Sequence, residues 1–289
     1  MKTKIVYMSA VLLGVLVLAP REAHAGLQFY ADQVNQALFN DYENLYDANG
    51  NLRSPSSTPN VGDHLVGIFQ VNRINDLTGG GGSNIPDVTD FTGVFAQRIA
   101  AIDPISGGFS LTFSNPSIFT FSDGASGFFT LTGLSSTEMF AIYADPVHNF
   151  TFQGALATNV AGAQDGTQLL SAGLNTAHDP NNASFATVFF PPSPFPINGV
   201  STSSLSIVDN ATPYTFAQHT PLTFLGPKGE LTFQSRFTFS SDSLSKWAFT
   251  SFDPAEVEPR TNAIPEPSSL LMLGAGLAGL VSRRRKVSA

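Results

Sequence analysis

The run Phe109-Ser110-Leu111-Thr112-Phe113 alternates large apolar and small hydroxyl residues one for one. Successive side chains of an extended chain point to opposite faces, so this run puts Phe and Leu on one face of a sheet and Ser and Thr on the other. The same period recurs in Phe129-Thr130-Leu131-Thr132, Leu222-Thr223-Phe224, Leu231-Thr232-Phe233, Phe237-Thr238-Phe239 and Trp247-Ala248-Phe249-Thr250. Turn clusters such as Ser122-Asp123-Gly124 and Gly226-Pro227-Lys228-Gly229 separate the runs. The pattern predicts an all-β fold, an antiparallel β-sandwich-like body with phenylalanine as the main core filler. Pro191-Pro192-Ser193-Pro194-Phe195-Pro196 belongs in a loop or at a sheet edge, because proline cannot donate to a ladder.

Toward the N-terminus, His64 to Val71 is apolar enough for a buried strand, and Ser54 to Asn60 reads as a proline-serine loop. Val34, Leu38 and Leu45, with Phe39 and Tyr42 beside them, sit at near-helical spacing and predict a short N-terminal helix within residues 31–46. Asp47-Ala48-Asn49-Gly50-Asn51 reads as a turn, since Asn-Gly favours positive φ. Gly79 to Gly82 is a flexible loop, and without a following Gly-Lys-Ser/Thr it is no P-loop. Toward the C-terminus, Pro254, Glu256, Glu258 and Pro259 mark residues 253–264 as an extended acidic linker, which leaves 26–252 as the body.

The 289 residues are 42% hydrophobic, enough for a real core, which excludes a wholly disordered chain. No cysteine is present, so disulfides, zinc-thiolate sites, iron–sulfur clusters and cysteine nucleophiles are excluded.

Both ends read as addresses. Lys2 and Lys4, the mostly apolar run Ile5 to Ala19, and the small residues Ala23 and Ala25 form a secretory signal over residues 1–25, with cleavage expected between Ala25 and Gly26. At the other end, Pro265-Glu266-Pro267 precedes the apolar run Leu270 to Val281, and Arg283-Arg284-Arg285-Lys286 follows it. Two prolines hold the marker extended, the apolar run inserts in the membrane, and the basic cluster stays cytoplasmic. Between the two signals, residues 26–267 hold seven basic and 21 acidic residues, a net charge near −14. That balance argues against nucleic acid, because phosphate binding needs a basic patch.

The ordered tail over residues 265–289 resembles the PEP-CTERM sorting signal of Gram-negative bacteria. The resemblance implies that an exosortase-type membrane enzyme reads Pro265, Glu266 and Pro267, while Arg283, Arg284 and Arg285 set topology. It further implies an inner-membrane precursor held by the C-terminal transmembrane sorting helix. It also implies delivery to the cell surface or outside, in the exopolysaccharide, biofilm or floc matrix, where extracellular polysaccharide is the partner. Gly274-Ala275-Gly276-Leu277-Ala278-Gly279 matches G-x-G-x-x-G, but the second strand and acidic residue of a dinucleotide site have no room after it.

The body offers little spaced chemistry. His64, His148, His178 and His219 are dispersed, and no H-E-x-x-H occurs. Ser126 in Gly124-Ala125-Ser126-Gly127 lacks one residue of G-x-S-x-G. Asp47, Asn49 and Asn51 resemble the start of a calcium loop. Leu52 and Thr58 stand where an EF-hand needs Gly and Glu, so a turn is the favoured reading. Trp247 alternates with Phe249 and reads as core. The expectation is a non-enzymatic structural protein of the cell surface or matrix with no cofactor. The alternatives are a carbohydrate-binding module with calcium near Asp47, or a secreted hydrolase with a dispersed site.

Overall fold

Phe109, Leu111 and Phe113 face the core from strand β5 (Gly108–Ser114), with Thr112 on the outer side. The computed structural model describes residues 29–79, 82–84, 90–125, 127–189, 198–239 and 244–261. The expected loop at 191–196 and residues 80 and 81 of the Gly79–Gly82 loop lie outside these, as do Ser126, the export signal and the sorting tail.

The strands are β1 (Asn35–Tyr46), β2 (His64–Asp76), β3 (Gly82–Asn84), β4 (Asp90–Ile105) and β5, then β6 (Thr120–Ser122), β7 (Phe128–Thr130) and β8 (Phe140–Asp145). Helix α1 (Leu156–Ala163) precedes β9 (Thr167–Gly173), β10 (Ala183–Phe189), β11 (Asn198–Asn210), β12 (Tyr214–Ala217), β13 (Leu231–Phe239) and β14 (Phe249–Thr261). All pairings are antiparallel, as the alternation predicts, and among the described residues the sheet closes on itself. The order β1–β2–β4–β8–β9–β11–β13–β14 returns to β1. Strand β4 is long enough to pair β8 with its first half and β5 with its second, and β10 links β5 to β11. The β8–β9 and β5–β10 pairs therefore stack end to end between β4 and β11. The facing walls of the expected sandwich are two sides of one closed sheet.

The interior is phenylalanine-rich, with Phe39, Phe69, Phe95, Phe140, Phe233 and Phe237 in one cluster. Phe69 stacks on Phe140 at 4.4 Å between ring centroids. Such bulk needs matching absences. A Cβ on inward-facing Gly93 would stand 2.0 Å from Phe69 and 2.3 Å from the Ala141 carbonyl oxygen, so that glycine makes room for the ring. Overpacking a filled core costs ~1–3 kcal/mol. Gly93→Ala is therefore expected to lower the thermal midpoint by several degrees, at about 2–4 °C per kcal/mol for a domain of this size, in a calorimetric scan.

A second layer covers the outer face of β1, β2, β4 and β8. Tyr46, Val66, Ile68, Val94, Ala141 and Tyr143 point outward there and are nevertheless buried. The β6–β7 hairpin covers them with Phe121 and Phe129, and α1 with Leu156 and Val160. Trp247 closes this layer, donating its ring N–H to Asn159 Oδ1 at 3.1 Å. Burial on both faces explains why His64 to Val71 reads as a continuous apolar run.

Three expectations need correction. Residues 31–46 hold no helix: β1 occupies Asn35–Tyr46 between β14 and β2. Its alternation was hidden because the inward positions Asp41 and Glu43 are acidic and the outward Tyr42 and Tyr46 are aromatic. The helix lies instead at Leu156–Ala163, where Leu156, Val160 and Ala163 share a buried face. Residues 253–261 are no linker, since they form most of β14, a wall strand between β1 and β13. Leu222-Thr223-Phe224 is no strand, because the amides of Leu222 and Thr223 donate to the Glu256 carboxylate at 2.7 and 2.9 Å instead of to a ladder. Among the described residues no helix is long and apolar enough to cross a membrane.

Candidate functional site: carboxyls inside the barrel

The two halves of the interior differ. The half walled by β8 and β9 is apolar throughout, with Phe39, Phe140, Ile142, Leu170, Ala255 and Val257 around a gap of only about 20 Å³. The half walled by β5 and β10 holds a cavity of about 80 Å³ in which Asp41, Glu43 and Asp253 stand among phenylalanines. Pro55, Ser57 and Pro59, from the segment between β1 and β2, line its edge. Arg53 pins that segment, pairing with Asp63 at 2.6 Å and donating to the Thr58 carbonyl at 2.9 Å.

Strand register brings the acids together. Asp41 lies opposite Ser251 across the β1–β14 ladder, and Asp253 is the next inward residue on β14. The Ser251 hydroxyl contacts Asp41 Oδ1 and lies 2.6 Å from Asp253 Oδ2, while the Ser235 hydroxyl donates to Ser251 at 3.3 Å. One hydroxyl carries one proton, so satisfying both carboxyl contacts requires a proton on Asp41 or Asp253. The wall also opens here. The β13–β14 register runs from Leu231 to Phe233 and resumes at Phe237, leaving residues 234–236 opposite Phe252, Asp253 and Pro254. Pro254 has no N–H to offer, and Asp253 Oδ1 accepts the Arg236 amide at 3.1 Å in place of a ladder partner.

Burial dominates the electrostatics. It pushes the Asp41 carboxyl well above its ordinary range, and the charge of Asp253 adds to this while hydrogen bonds from Ser251 oppose it. Burial, then repulsion from Asp41 and Asp253, pushes Glu43 up as well. Burial raises Asp253 to about 6 against the hydrogen bonds from Ser251, Ser235 and the Arg236 amide. Glu43 Oε1 is fully buried and has no hydrogen-bond partner, in a residue only 3% exposed.

These raised values set a sign. The folded state holds the protons more tightly than the unfolded chain, so stability from these groups is full below pH ~4 and is lost as pH rises through the folded values. For Asp253 the window runs from 3.8 to about 6. Glu43→Gln removes one such group and is expected to melt several degrees above the parent at pH 7.5. The gap should close by pH 4, as read by paired thermal scans across that range.

Sequence-derived candidates fall elsewhere. Asp47, Asn49 and Asn51 form a closed turn. Asp47 Oδ1 accepts the amides of Asn49 and Asn51 at 2.8 and 2.9 Å, and Oδ2 accepts the Asn51 side chain at 2.9 Å. Slight desolvation pushes Asp47 up, but these bonds outweigh it and hold the carboxyl below its ordinary range. Its oxygens thus serve the turn, with Gly50 at φ +82°. Among the described residues no group of three His, Cys, Asp or Glu is placed to hold a metal ion. His64 and His219 are buried and held neutral chiefly by desolvation, while His148 faces Asp90 at 3.2 Å and His178 faces Glu230 at 3.3 Å. Pro265, Glu266, Pro267, Arg283, Arg284, Arg285, Ala23 and Ala25 lie outside the described residues.

The interior acids escaped sequence reading, yet a signal existed. Phe39-x-Asp41-x-Glu43-x-Leu45 and Phe249-x-Ser251-x-Asp253-x-Ala255 keep period two with acids at inward positions.

No curated protein and no solved structure matches the chain. Residues 263–286 match the family model described as the PEP-CTERM protein-sorting motif, a match confined to the C-terminal tail, and the body has no recognised family. The chain therefore carries the PEP-CTERM sorting signal of an exported, exosortase-processed protein made as a membrane-anchored precursor.

Proposed function

We propose that this chain is a non-enzymatic structural protein of the cell surface or extracellular matrix of a Gram-negative bacterium, associated there with exopolysaccharide. The observation that carries this reading is the sorting motif at residues 263–286. The order of barrel and signal supports it: β14 ends at Thr261, ahead of Pro265, so cleavage at the marker leaves the wall strand whole. A cut anywhere in 253–261 would open the barrel. The carbohydrate-module alternative gains less support. Flat aromatic contacts suit sugar rings, but among the described residues no tyrosine or tryptophan is exposed.

The test is fractionation of an exosortase-bearing host that makes exopolysaccharide. The processed body is expected to sediment with the matrix, and deleting its gene should weaken matrix cohesion without changing polysaccharide chain length. A freely diffusing body whose loss lengthens the polysaccharide would instead make it a hydrolase.

A further inference from the structure

The barrel cavity joins three features that need a ligand of one chemistry. Its walls are aromatic, with Phe95, Phe113, Phe237 and Phe249 among the lining. Its ionisable groups are all acidic, Asp41, Glu43 and Asp253 beside the neutral Gln97, Ser201 and Ser235, and Glu43 Oε1 is fully buried and unpartnered. No Lys, Arg or His lines it among the described residues, so the protein supplies no countercharge. We infer that the cavity binds a small organic cation, an ammonium group on a short apolar body, with the ammonium against Glu43 and the apolar body among the phenylalanines.

The physical argument has three parts. A buried carboxyl oxygen without a partner forfeits a hydrogen bond, and an N⁺–H donor would restore one of the stronger, charge-assisted kind. Phenylalanine faces attract ammonium ions through the ring quadrupole, most strongly where water is excluded. A bare metal ion fits poorly, because no cluster of acids here is placed to ligate one. Size then limits the guest. A cavity of about 80 Å³ exceeds one water, roughly 30 Å³, and falls short of the ~150 Å³ site that takes benzene. An amine with one or two carbons suits that space. The acidic mature chain adds long-range attraction for any cation. This inference concerns the barrel alone and stands or falls separately from the matrix reading.

The experiment uses the full chain in zwitterionic lipid nanodiscs, with empty nanodiscs as the blank. Calorimetric titrations with ethylammonium, ethanol and acetate compare cation, neutral and anion at similar size. The expected result is saturable one-to-one binding of ethylammonium at least tenfold tighter than ethanol, with no binding of acetate. Glu43→Gln should weaken ethylammonium at least tenfold while raising the thermal midpoint, and Asp253→Asn should weaken it to a lesser degree. Absence of ethylammonium binding, equal affinity for ethanol, or undiminished affinity in Glu43→Gln would overturn the inference. The three-ligand comparison on the unaltered chain decides it even if a variant fails to fold.

Discussion

A chain running from Gly26 to Phe252 is expected not to fold, whereas one running to Asn262 is expected to melt cooperatively as a β-rich body. The first cut removes the larger part of β14. It takes Ala255 and Val257 out of the interior cluster and strips β1 of its partners opposite Asn35 to Phe39. It also strips β13 of its partners opposite Leu231 to Phe233 and leaves β12 with no strand to pair. Glu256, which accepts the Leu222 and Thr223 amides, goes with it. Burying a side chain such as valine is worth ~1.5–3 kcal/mol. The loss of two core residues and two ladder segments together is comparable with the ~5–15 kcal/mol that holds a typical domain. Near-ultraviolet circular dichroism and a thermal scan of the two chains make the comparison. A cooperative transition in the shorter chain would show that β14 is dispensable.

That same strand explains what the sequence hid. Period-two alternation was legible where apolar inward residues alternate with hydroxyl residues, as in Phe109-x-Leu111-x-Phe113 and in β13. It failed on β1 and β14, whose inward positions carry Asp41, Glu43, Ser251 and Asp253. Hydrophobic pattern reports burial only while burial is apolar, so the strands that build the acidic cavity were those misread as helix and linker. Closure of the sheet was equally hidden. It depends on β2 meeting β4 and on β4 serving two neighbours in turn, which are long-range pairings without a local signature. Helix α1 lacks a side-chain cap and first-turn acids, so the usual start signals were missing. The turn at Asp47 was legible because its chemistry is local, with an Asp accepting amides two and four residues ahead.

Glu266→Ala is expected to trap the protein as an uncleaved, membrane-bound precursor while leaving export intact. The tail divides into parts with separate physical tasks. The cluster Arg283-Arg284-Arg285-Lys286 is expected to set topology, because moving several cations across the bilayer is unfavourable. The run Leu270 to Val281 is expected to hold the precursor by burying apolar surface, though as a helix at ~1.5 Å per residue it would span only part of a ~30 Å hydrocarbon core. Pro265 and Pro267 favour an extended backbone, and Glu266 is the one charge in the marker. Removing that charge leaves anchor and topology signal untouched, so the change acts on recognition alone. Deleting residues 268–289 acts differently, taking away the anchor and releasing an intact barrel without the enzyme.

The decisive measurement is the mass of the protein in envelope and released fractions of an exosortase-bearing host, for the parent chain and for Glu266→Ala. The account predicts a parent shortened at both ends and released from the membrane. It predicts a variant shortened at the N-terminus only and retained in the envelope. A Glu266→Ala protein that matures and leaves the membrane like the parent would contradict it.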